Sequence, residues 1–320
     1  MIAKGEQHVN IAICGVGGVG GYFGSKICRA RETLQADVYF IARGAHLKAI
    51  QKDGLIIRTS SEGIIHCRPT LATSDIDELP PLDACLICVK SYDLKELVKR
   101  LRSRVSEPTE IVPLLNGIDI YDRIREELHT AQVFPACVFI GTHIEKPGVI
   151  SQDGGACKIL FGNASTASPT DTPIMARVFN ESSINSEWHD DIYPSIWSKY
   201  IFIASFGLVT ACLNKTLGQV MESDELSSLV RSVMNEILAV ATVKGIRLPV
   251  SIVDDSYRKG NDFPSNTKTS FQRDVASPDS PDERDLFGGT IIRLGKQLDI
   301  ATPHVDELYK MLNRKKPLKS

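Results

Sequence analysis

The sequence predicts a doubly wound α/β domain followed by an all-α domain. From Val9 to about Gly162, short β-rich runs alternate with amphipathic helices, which is typical of a parallel sheet with crossover helices. After about residue 190 the pattern is helical throughout. The expected domains are therefore residues 1–190 and residues 191–320.

Five β-rich runs are predicted to build the parallel sheet: VNIAIC, DVYFIA, ACLICV, EIVPLL and VFPACVFI. Between the second and third of them, GLIIRTSSEGIIHCRP is predicted to form a β-hairpin bounded by Gly54 and Pro69. GVISQDGGACKILFG is predicted to form strands joined by a Gly-rich turn. A polar loop at 163–173, a helix and a short strand, INSEWH, are expected to close the first domain.

The clearest helix of the second domain is predicted over residues 223–244. Ser223 is the expected N-cap, acidic residues follow it, and apolar residues recur at helical spacing from Leu226 to Leu238. Gly245 and Pro249 are then expected to end the helix. The Pro- and Asp-rich stretch 275–285 is predicted to be a loop before a last pair of helices.

Composition narrows the classes of protein that fit. The chain has 320 residues, 42% hydrophobic and 24% charged, with a net charge of -2, so it is predicted to be globular and not to bind nucleic acid. The opening MIAKGEQHVN lacks an apolar signal segment, and a cytoplasmic location is expected. A homodimer is compatible with the sequence, which does not determine oligomeric state.

One apolar stretch, IWSKYIFIASFGLVTAC at residues 196–212, resembles a membrane span at first sight. It is short for a span, carries Lys199 and contains several hydroxyl residues, so we predict a buried helix and no membrane association. The eight cysteines are scattered and expected to be reduced thiols. Cys85 and Cys88 lie three apart on a predicted strand and therefore face opposite sides, which excludes a shared metal ion.

A glycine motif follows the first predicted strand and opens the first predicted helix. In VNIAICGVGGVGGYFG, the G-x-G-x-x-G glycines permit a tight turn, close approach of a pyrophosphate and packing of the helix on the strand. This context predicts a Rossmann-type dinucleotide site rather than a merely Gly-rich turn. The expected cofactor contacts here are Gly15, Gly17, Gly18, Val19 and Gly20.

The end of the second strand predicts which dinucleotide is bound. An NAD site usually has an acidic residue there for the ribose hydroxyls, whereas this sequence has Arg43. A guanidinium matches a 2′-phosphate in charge and in planar hydrogen bonding. NADP(H) is therefore the predicted cofactor, the alternative being that Arg43 is an ordinary surface arginine.

Several short motifs then follow in an order that resembles the ketopantoate reductase (2-dehydropantoate 2-reductase) family. They are GxGxxG, ARG, VKSYD, LLNGI, KPGVISQDGG before FG, WSK and TSFQRD, and they span roughly residues 9–312. The resemblance implies a C-terminal domain like that of 6-phosphogluconate dehydrogenase, with NADPH in the cleft between the domains. It also implies reduction of ketopantoate to pantoate, a step of pantothenate and coenzyme A biosynthesis.

The resemblance assigns roles to individual residues. Lys199 matches the family's catalytic lysine, and an ammonium there would stabilise and then protonate the carbonyl oxygen as hydride adds to the ketone. Glu283 matches the acidic residue of the substrate site and is grouped with Lys199 as catalytic. Lys90 and Asn116 are implied to contact the cofactor. Asn116 and Ser270 are also implied to contact the substrate. The alternatives from the residues alone are that Asn116 forms an Asn-Gly turn and that Lys90 and Lys199 are ordinary lysines with solvated amines.

The sequence departs from the family where asparagines normally help to hold the substrate. Those positions are Ile203, Gly207 and Leu217. Either a more apolar pocket suits a 2-keto acid with fewer hydroxyl groups than ketopantoate, or the substrate is held instead by Ser270, Thr210 and Glu283. Two further hypotheses remain open: a related hydroxyacid dehydrogenase, and a non-catalytic NADP(H)-binding sensor.

Overall fold

The computed structural model describes residues 8–163, 173–277 and 281–315. Two units are distinguished by their internal contacts. The first comprises Met1–Leu115 and Ile120–Ile192, and the second comprises Asn116–Asp119 and Tyr193–Ser320. The short segment Asn116–Asp119 thus groups with the helical unit although it directly follows a part of the first.

The strands of the described residues all lie in the first unit. They are β1 (Val9–Cys14), β2 (Ala36–Ile41), β3 (Leu55–Thr59), β4 (Gly63–Cys67), β5 (Leu71–Thr73), β6 (Ala84–Ile87), β7 (Glu110–Pro113), β8 (Gln132–Val133), β9 (Ala136–Lys146), β10 (Val149–Gly162) and β11 (Asn185–His189).

The helices are divided between the two units. They are α1 (Gly18–Arg29), α2 (Arg31–Leu34), α3 (Gly44–Asp53), α4 (Ser91–Leu101), α5 (Ile120–Arg125), α6 (Ile174–Glu181), α7 (Tyr193–Leu213), α8 (Leu217–Met221), α9 (Asp224–Val243), α10 (Ile252–Arg258), α11 (Ser270–Ala276), α12 (Thr290–Leu298) and α13 (Pro303–Lys315). A π-helical segment, Asp285–Gly289, leads into α12.

The first sheet has the strand order β5-β2-β1-β6-β7-β8, with parallel pairing throughout. The order reverses direction at β1, which lies between β2 and β6. Ligands of such sheets bind beyond the carboxyl ends of the strands at this switch point. The predicted α/β fold class is therefore confirmed, and the sheet places the Gly-rich turn at its switch point.

A second sheet, absent from the sequence prediction as a separate sheet, joins the hairpin to later strands. Its order is β11-β10-β3-β4, with β9 antiparallel to β10. The predicted hairpin is confirmed, since Leu55 lies opposite Cys67 and Thr59 opposite Gly63. α1 packs against β9, β10 and β3, so one apolar core serves both sheets.

Two predicted strands are wrong in detail. The run VFPACVFI does not form one strand of the parallel sheet: β8 ends at Val133, and β9 begins at Ala136 in the second sheet. Pro135 lies between them, and since proline lacks an N–H for a ladder bond, the chain leaves the first sheet there.

The run GVISQDGGACKILFG forms the single strand β10, not two strands and a turn. Its register with β9 shifts between Gln152 and Gly154 and again between Gly154 and Lys158. Gly155, with φ of 79°, lies within this irregular segment, where a Cβ would come within 2.7 Å of the Ile140 Cα. The glycines therefore make a bulge rather than a reversal.

α7 contains the apolar stretch and is a core helix of the second unit. Its apolar residues occur on all sides, and Trp197, Ile201, Phe206 and Leu208 are at most 1% exposed. Burying each such side chain contributes roughly 1.5–3 kcal/mol. By length and composition alone, α7 and α9 could each cross a membrane, but 72% of the α7 window is buried within the protein, as in a core helix.

α9 follows its sequence signals closely. The Ser223 side chain accepts a hydrogen bond from the Leu226 N–H, as an N-cap does. Gly245, with φ of 76°, follows the helix, and the Ile246 N–H donates to the Ala241 carbonyl. The polar loop predicted at 163–173 and the loop at 275–285 lie partly outside the described residues.

Candidate active site

The Gly-rich turn has the geometry that each glycine was expected to supply. Gly15 has φ of 96°, and a Cβ there would lie 2.8 Å from the backbone of Cys88. A Cβ on Gly20 would lie 2.1 Å from the Gly15 carbonyl oxygen. Neither position therefore accepts a side chain without rearrangement, which keeps the turn tight and α1 close to β1.

Gly17 differs from its neighbours because it faces open space. No atom lies within 4 Å of a Cβ built there. Gly17 is the N-cap of α1, no side chain caps the helix, and the first turn contains no acidic residue. The helix therefore offers backbone N–H groups and a positive dipole end to an anion.

These observations fit a dinucleotide. The open space over Gly17 permits close approach of a pyrophosphate, and the unsatisfied N–H groups can receive it. Gly18 and Val19 are the first residues of α1 and belong to the same N-terminal turn, with Gly18 packed against Thr142. A bound nicotinamide cofactor would supply hydride chemistry that side chains lack.

Arg43 lies where the sequence predicted it, just after β2, as the N-cap of α3. Its side chain is 73% exposed and forms an ion pair with Asp93, at 2.5 Å between Nη2 and Oδ2. Asp93 belongs to the first turn of α4, and the sequence did not reveal this contact because fifty residues separate the partners. Lys90, the N-cap of α4, is half-buried near the same edge of the sheet.

Cys85 lies on β6, whereas Cys88, predicted to lie on the same strand, comes directly after its end. Cys85 Sγ lies 3.6 Å from Cys14 Sγ on the neighbouring strand, whereas Cys88 follows the strand and packs against Gly20. The hydrogen bond with Cys14, together with burial, raises the pKa of Cys85 well above its usual range. All eight cysteines are free, and within the described ranges no cluster of three metal-binding side chains occurs.

Lys199 and Asn116, which are far apart in sequence, meet in the second unit. The Lys199 Nζ donates a hydrogen bond of 2.8 Å to Asn116 Oδ1. Lys199 lies half-buried in the first half of α7, and Asn116 begins the segment that follows β7. The amide oxygen, as an acceptor, orients the amine.

The residues after Asn116 are tied to α12. Thr290 Oγ1 donates to Asp119 Oδ2 at 3.2 Å, and Arg293 lies 3.8 Å from the same carboxylate. These contacts, which sequence reasoning missed, hold the segment bearing Asn116 within the helical unit.

Glu283 is 6% exposed and lies in a tightly held stretch. Its neighbours Asp282 and Arg284 form a buried ion pair, with Nη2 to Oδ2 at 2.6 Å and both side chains 1% exposed. Arg284 also donates to the Leu312 carbonyl and to Asn313 Oδ1 in α13. A buried pair with this many hydrogen bonds fixes the backbone around Glu283.

Tyr200, directly after Lys199, anchors the next stretch. Its hydroxyl lies 2.7 Å from the Leu286 carbonyl oxygen and 2.9 Å from that of Phe287, within donating distance of both. The π-helical segment following Glu283 is thereby attached to the turn of α7 that carries Lys199. Nothing in the sequence pattern pointed to this tyrosine.

Ser270 is exposed and is the first residue of α11, while its neighbour Thr269 makes the structural contacts. Thr269 caps α11 by accepting from the Gln272 N–H, and its hydroxyl is hydrogen-bonded to Thr210 at 3.0 Å. The T-x-x-Q spacing of an N-cap could have identified Thr269. A substrate contact of Ser270 stays a prediction.

The three positions at which family asparagines were expected are apolar in structure as in sequence. Ile203 is half-buried, Leu217 is 2% exposed, and a Cβ on Gly207 would lie 3.5 Å from the Phe271 ring. Asn214, the nearest amide in sequence, accepts a hydrogen bond from Gln272 Nε2 at 3.3 Å. Its amide oxygen is therefore already used within the protein.

Comparison with known proteins agrees with this geometry. Residues 11–166 match the family model described as ketopantoate reductase PanE/ApbA, and residues 191–316 match its C-terminal model. A 2-dehydropantoate 2-reductase of Mesorhizobium japonicum is 25% identical over 96% of this chain and 97% of its own. YkpB of Bacillus subtilis, an uncharacterized oxidoreductase, is 24% identical over 93% and 95%.

Solved structures share the fold over nearly the whole chain. A PanE/ApbA family ketopantoate reductase from Ralstonia eutropha JMP134 superposes with a TM-score of 0.84 at 26% identity, covering 95% of this chain and 97% of that one. D-mandelate dehydrogenase, solved with NADH and anilino(oxo)acetate, has a TM-score of 0.84 at 22% identity, covering 96% and 98%. At that identity the second likeness shows the fold alone.

A parallel sheet with a dinucleotide turn and a helical C-terminal unit defines an NAD(P)-dependent oxidoreductase that acts on CH–OH groups. The chain belongs to the ketopantoate reductase family, since the two family models together match most of its length. The resemblance inferred from the motifs is thus confirmed, and the reaction class is reduction of a small 2-keto acid.

Proposed function

We propose that the protein reduces the keto group of ketopantoate with NADPH to give pantoate, with Lys199 as the general acid. The observation that carries this proposal is the 2.8 Å hydrogen bond from Lys199 Nζ to Asn116 Oδ1. It supports a positioned amine on an otherwise uncharged helix, and protonation of a carbonyl oxygen requires such a positioned donor.

The Lys199 side chain acts twice in this scheme. As negative charge develops on the substrate oxygen, the ammonium offsets it, and a proton then passes from Nζ to that oxygen. Asn116 keeps Nζ oriented by accepting one of its N–H bonds. NADPH, when bound, would supply the hydride for the 2-keto carbon.

Cofactor binding is assigned to Gly15, Gly17, Gly18, Val19 and Gly20 with Arg43, and Lys90 and Asn116 complete the proposed set. Arg43 supports NADPH over NADH because its guanidinium suits a 2′-phosphate. Glu283 is assigned to the substrate, as an acceptor for a hydroxyl, and Ser270 as a second contact. The stretch holding Glu283 is rigid enough for this role, since Arg284 ties it to α13.

A 2-keto acid with an apolar side chain is the second candidate substrate. It is favoured by the apolar character of Ile203, Gly207 and Leu217, which leaves the hydroxyl group of ketopantoate with fewer partners. The fold likeness to D-mandelate dehydrogenase with anilino(oxo)acetate supports testing aromatic 2-keto acids as well.

The test follows NADPH absorbance with purified protein and a panel containing ketopantoate, its analogue without the hydroxyl group, and an aryl 2-keto acid. Highest kcat/KM on ketopantoate is expected. A preference of about tenfold or more for the analogues would favour the second candidate, because an unpaired hydroxyl lowers binding by that order. Tight NADPH binding without turnover of any keto acid would contradict the proposal and favour a sensor.

A further inference from the structure

The Arg43–Asp93 ion pair lies beside the Gly-rich turn. Arg43 follows β2, and Asp93 lies in the first turn of α4, which follows β6. β2 and β6 are the two neighbours of β1, so the loops after them flank the turn that follows β1. The guanidinium meets both carboxylate oxygens, at 2.5 Å and 3.4 Å.

The two partners differ in how firmly they are held. Arg43 is 73% exposed, whereas Asp93 is 28% exposed and lies within a helix, its N–H donating to the Lys90 carbonyl. An ion pair this exposed contributes little free energy, so breaking it lowers the affinity for a ligand by a small factor only. A ligand can therefore take Arg43 away from Asp93, while the Asp93 carboxylate stays where it is.

This carboxylate changes the chemistry at the end of β2. Dinucleotide sites distinguish NADH from NADPH at this position. An acidic side chain binds the ribose hydroxyls of NADH, and an arginine binds the 2′-phosphate of NADPH. The sequence places only Arg43 at this position, and the fold adds an acidic group from the first turn of α4. A 2′-phosphate, which carries nearly two negative charges, must displace Asp93 and then lie close to it.

We propose that Asp93 is a specificity-determining residue for the dinucleotide. Its carboxylate competes with the 2′-phosphate for Arg43 and accepts a hydrogen bond from the 2′-hydroxyl of NADH. The protein therefore binds both cofactors, with a weaker preference for NADPH than Arg43 alone would produce. This inference rests on the proposed dinucleotide site and adds to it a residue that opposes Arg43.

The test is the substitution Asp93→Asn, which keeps the shape and removes the charge. Dissociation constants for NADPH, NADH, 2′,5′-ADP and 5′-AMP are measured by calorimetry. Kd for NADPH and 2′,5′-ADP is expected to fall about three- to tenfold, because one screened charge is removed near the phosphate. Kd for NADH and 5′-AMP is expected to equal or exceed the parent value. The decrease in Kd for NADPH should be smaller at high salt, because salt screens the charge.

The matched control is Glu145→Gln, which breaks the exposed ion pair with Arg58 on the second sheet and should leave all four constants unchanged. If Asp93→Asn leaves the NADPH-to-NADH ratio of dissociation constants within twofold of the parent value, the role of Asp93 is overturned while the dinucleotide site stands. If the unmodified protein binds none of the four ligands, the proposed function and this inference fail together.

Discussion

At the scale of single residues, Lys199 is the side chain whose position is best explained by chemistry. A lysine on an apolar helix is tolerated when its amine has a partner, and Asn116 provides one at 2.8 Å. The sequence contained both residues, but only the folded chain shows that they are hydrogen-bonded.

Replacing Lys199 tests its role directly. Lys199→Ala is expected to lower kcat about 10²-fold or more, since the oxygen that gains charge loses both its electrostatic partner and its proton donor. The measurement is NADPH oxidation at saturating keto acid. Lys215→Ala, at an exposed position, serves as the control and should keep parental kcat. A near-normal kcat for Lys199→Ala would refute the assignment.

Arg43 is the second residue whose role can be isolated. Arg43→Ala is expected to raise KM for NADPH about tenfold or more and to change KM for NADH little, because NADH lacks the 2′-phosphate that the guanidinium is proposed to bind. Steady-state kinetics with each cofactor measures this, with Arg58→Ala as an exposed-arginine control. Equal increases for both cofactors would show that Arg43 does not read the 2′-phosphate.

At the scale of elements, the Gly-rich turn between β1 and α1 contains glycines that serve packing and a glycine that leaves room for a ligand. Gly20 is required by packing, since its Cβ would overlap the Gly15 carbonyl, whereas Gly17 borders open space and has φ of -84°, which any residue adopts. The same motif therefore contains two glycines needed for the fold, Gly15 and Gly20, and one, Gly17, that packing does not require.

Two alanine substitutions test this separation. Gly20→Ala is expected to lower stability by about 1–3 kcal/mol and to weaken NADPH binding as well. Gly17→Ala should leave the thermal midpoint nearly unchanged and weaken NADPH binding, because a methyl group then occupies the approach of the pyrophosphate. Thermal unfolding and NADPH titration measure the two effects.

Gly154→Ala, where a Cβ also meets open space, is the control for both quantities. Tight NADPH binding by Gly17→Ala would contradict the placement of the pyrophosphate over this residue.

At the scale of the whole molecule, one histidine links stability to pH. Burial lowers the pKa of His46, with the Val16 carbonyl opposing the shift, and His46 Nδ1 accepts a hydrogen bond from the Gly148 N–H. Since the unfolded state then binds more protons, the stabilisation is complete above a pH of about 6.5 and declines as the pH falls below that value.

The substitution His46→Asn tests this dependence. The amide oxygen can accept from Gly148 without titrating, so the variant should lose less stability than the parent between about pH 7 and pH 5. Unfolding midpoints across that range measure the difference, and His129→Asn at an exposed position is the control. Parallel pH profiles for His46→Asn and the parent would contradict the role of His46.

How much of the site was predictable follows from the range of the contacts. Gly15, Gly17 and Gly20 were recognisable because their spacing and the adjoining strand and helix are local in sequence. The Arg43–Asp93, Lys199–Asn116 and Tyr200–Leu286 pairs were not, because fifty or more residues separate each pair. The second sheet was missed for the same reason, since β10 pairs with β3 far earlier in the chain.

The sequence by itself determined the fold class, the dinucleotide turn, the helical second half and the family, all of which depend on periodicity and on short motifs. The tertiary structure decided which side chains are neighbours: Asn116 for the Lys199 amine, a carboxylate for Arg43, and the buried Asp282–Arg284 pair that holds Glu283. The physical reason is that local patterns set backbone conformation and burial, whereas hydrogen bonds and ion pairs between distant residues exist only once the chain has closed its loops.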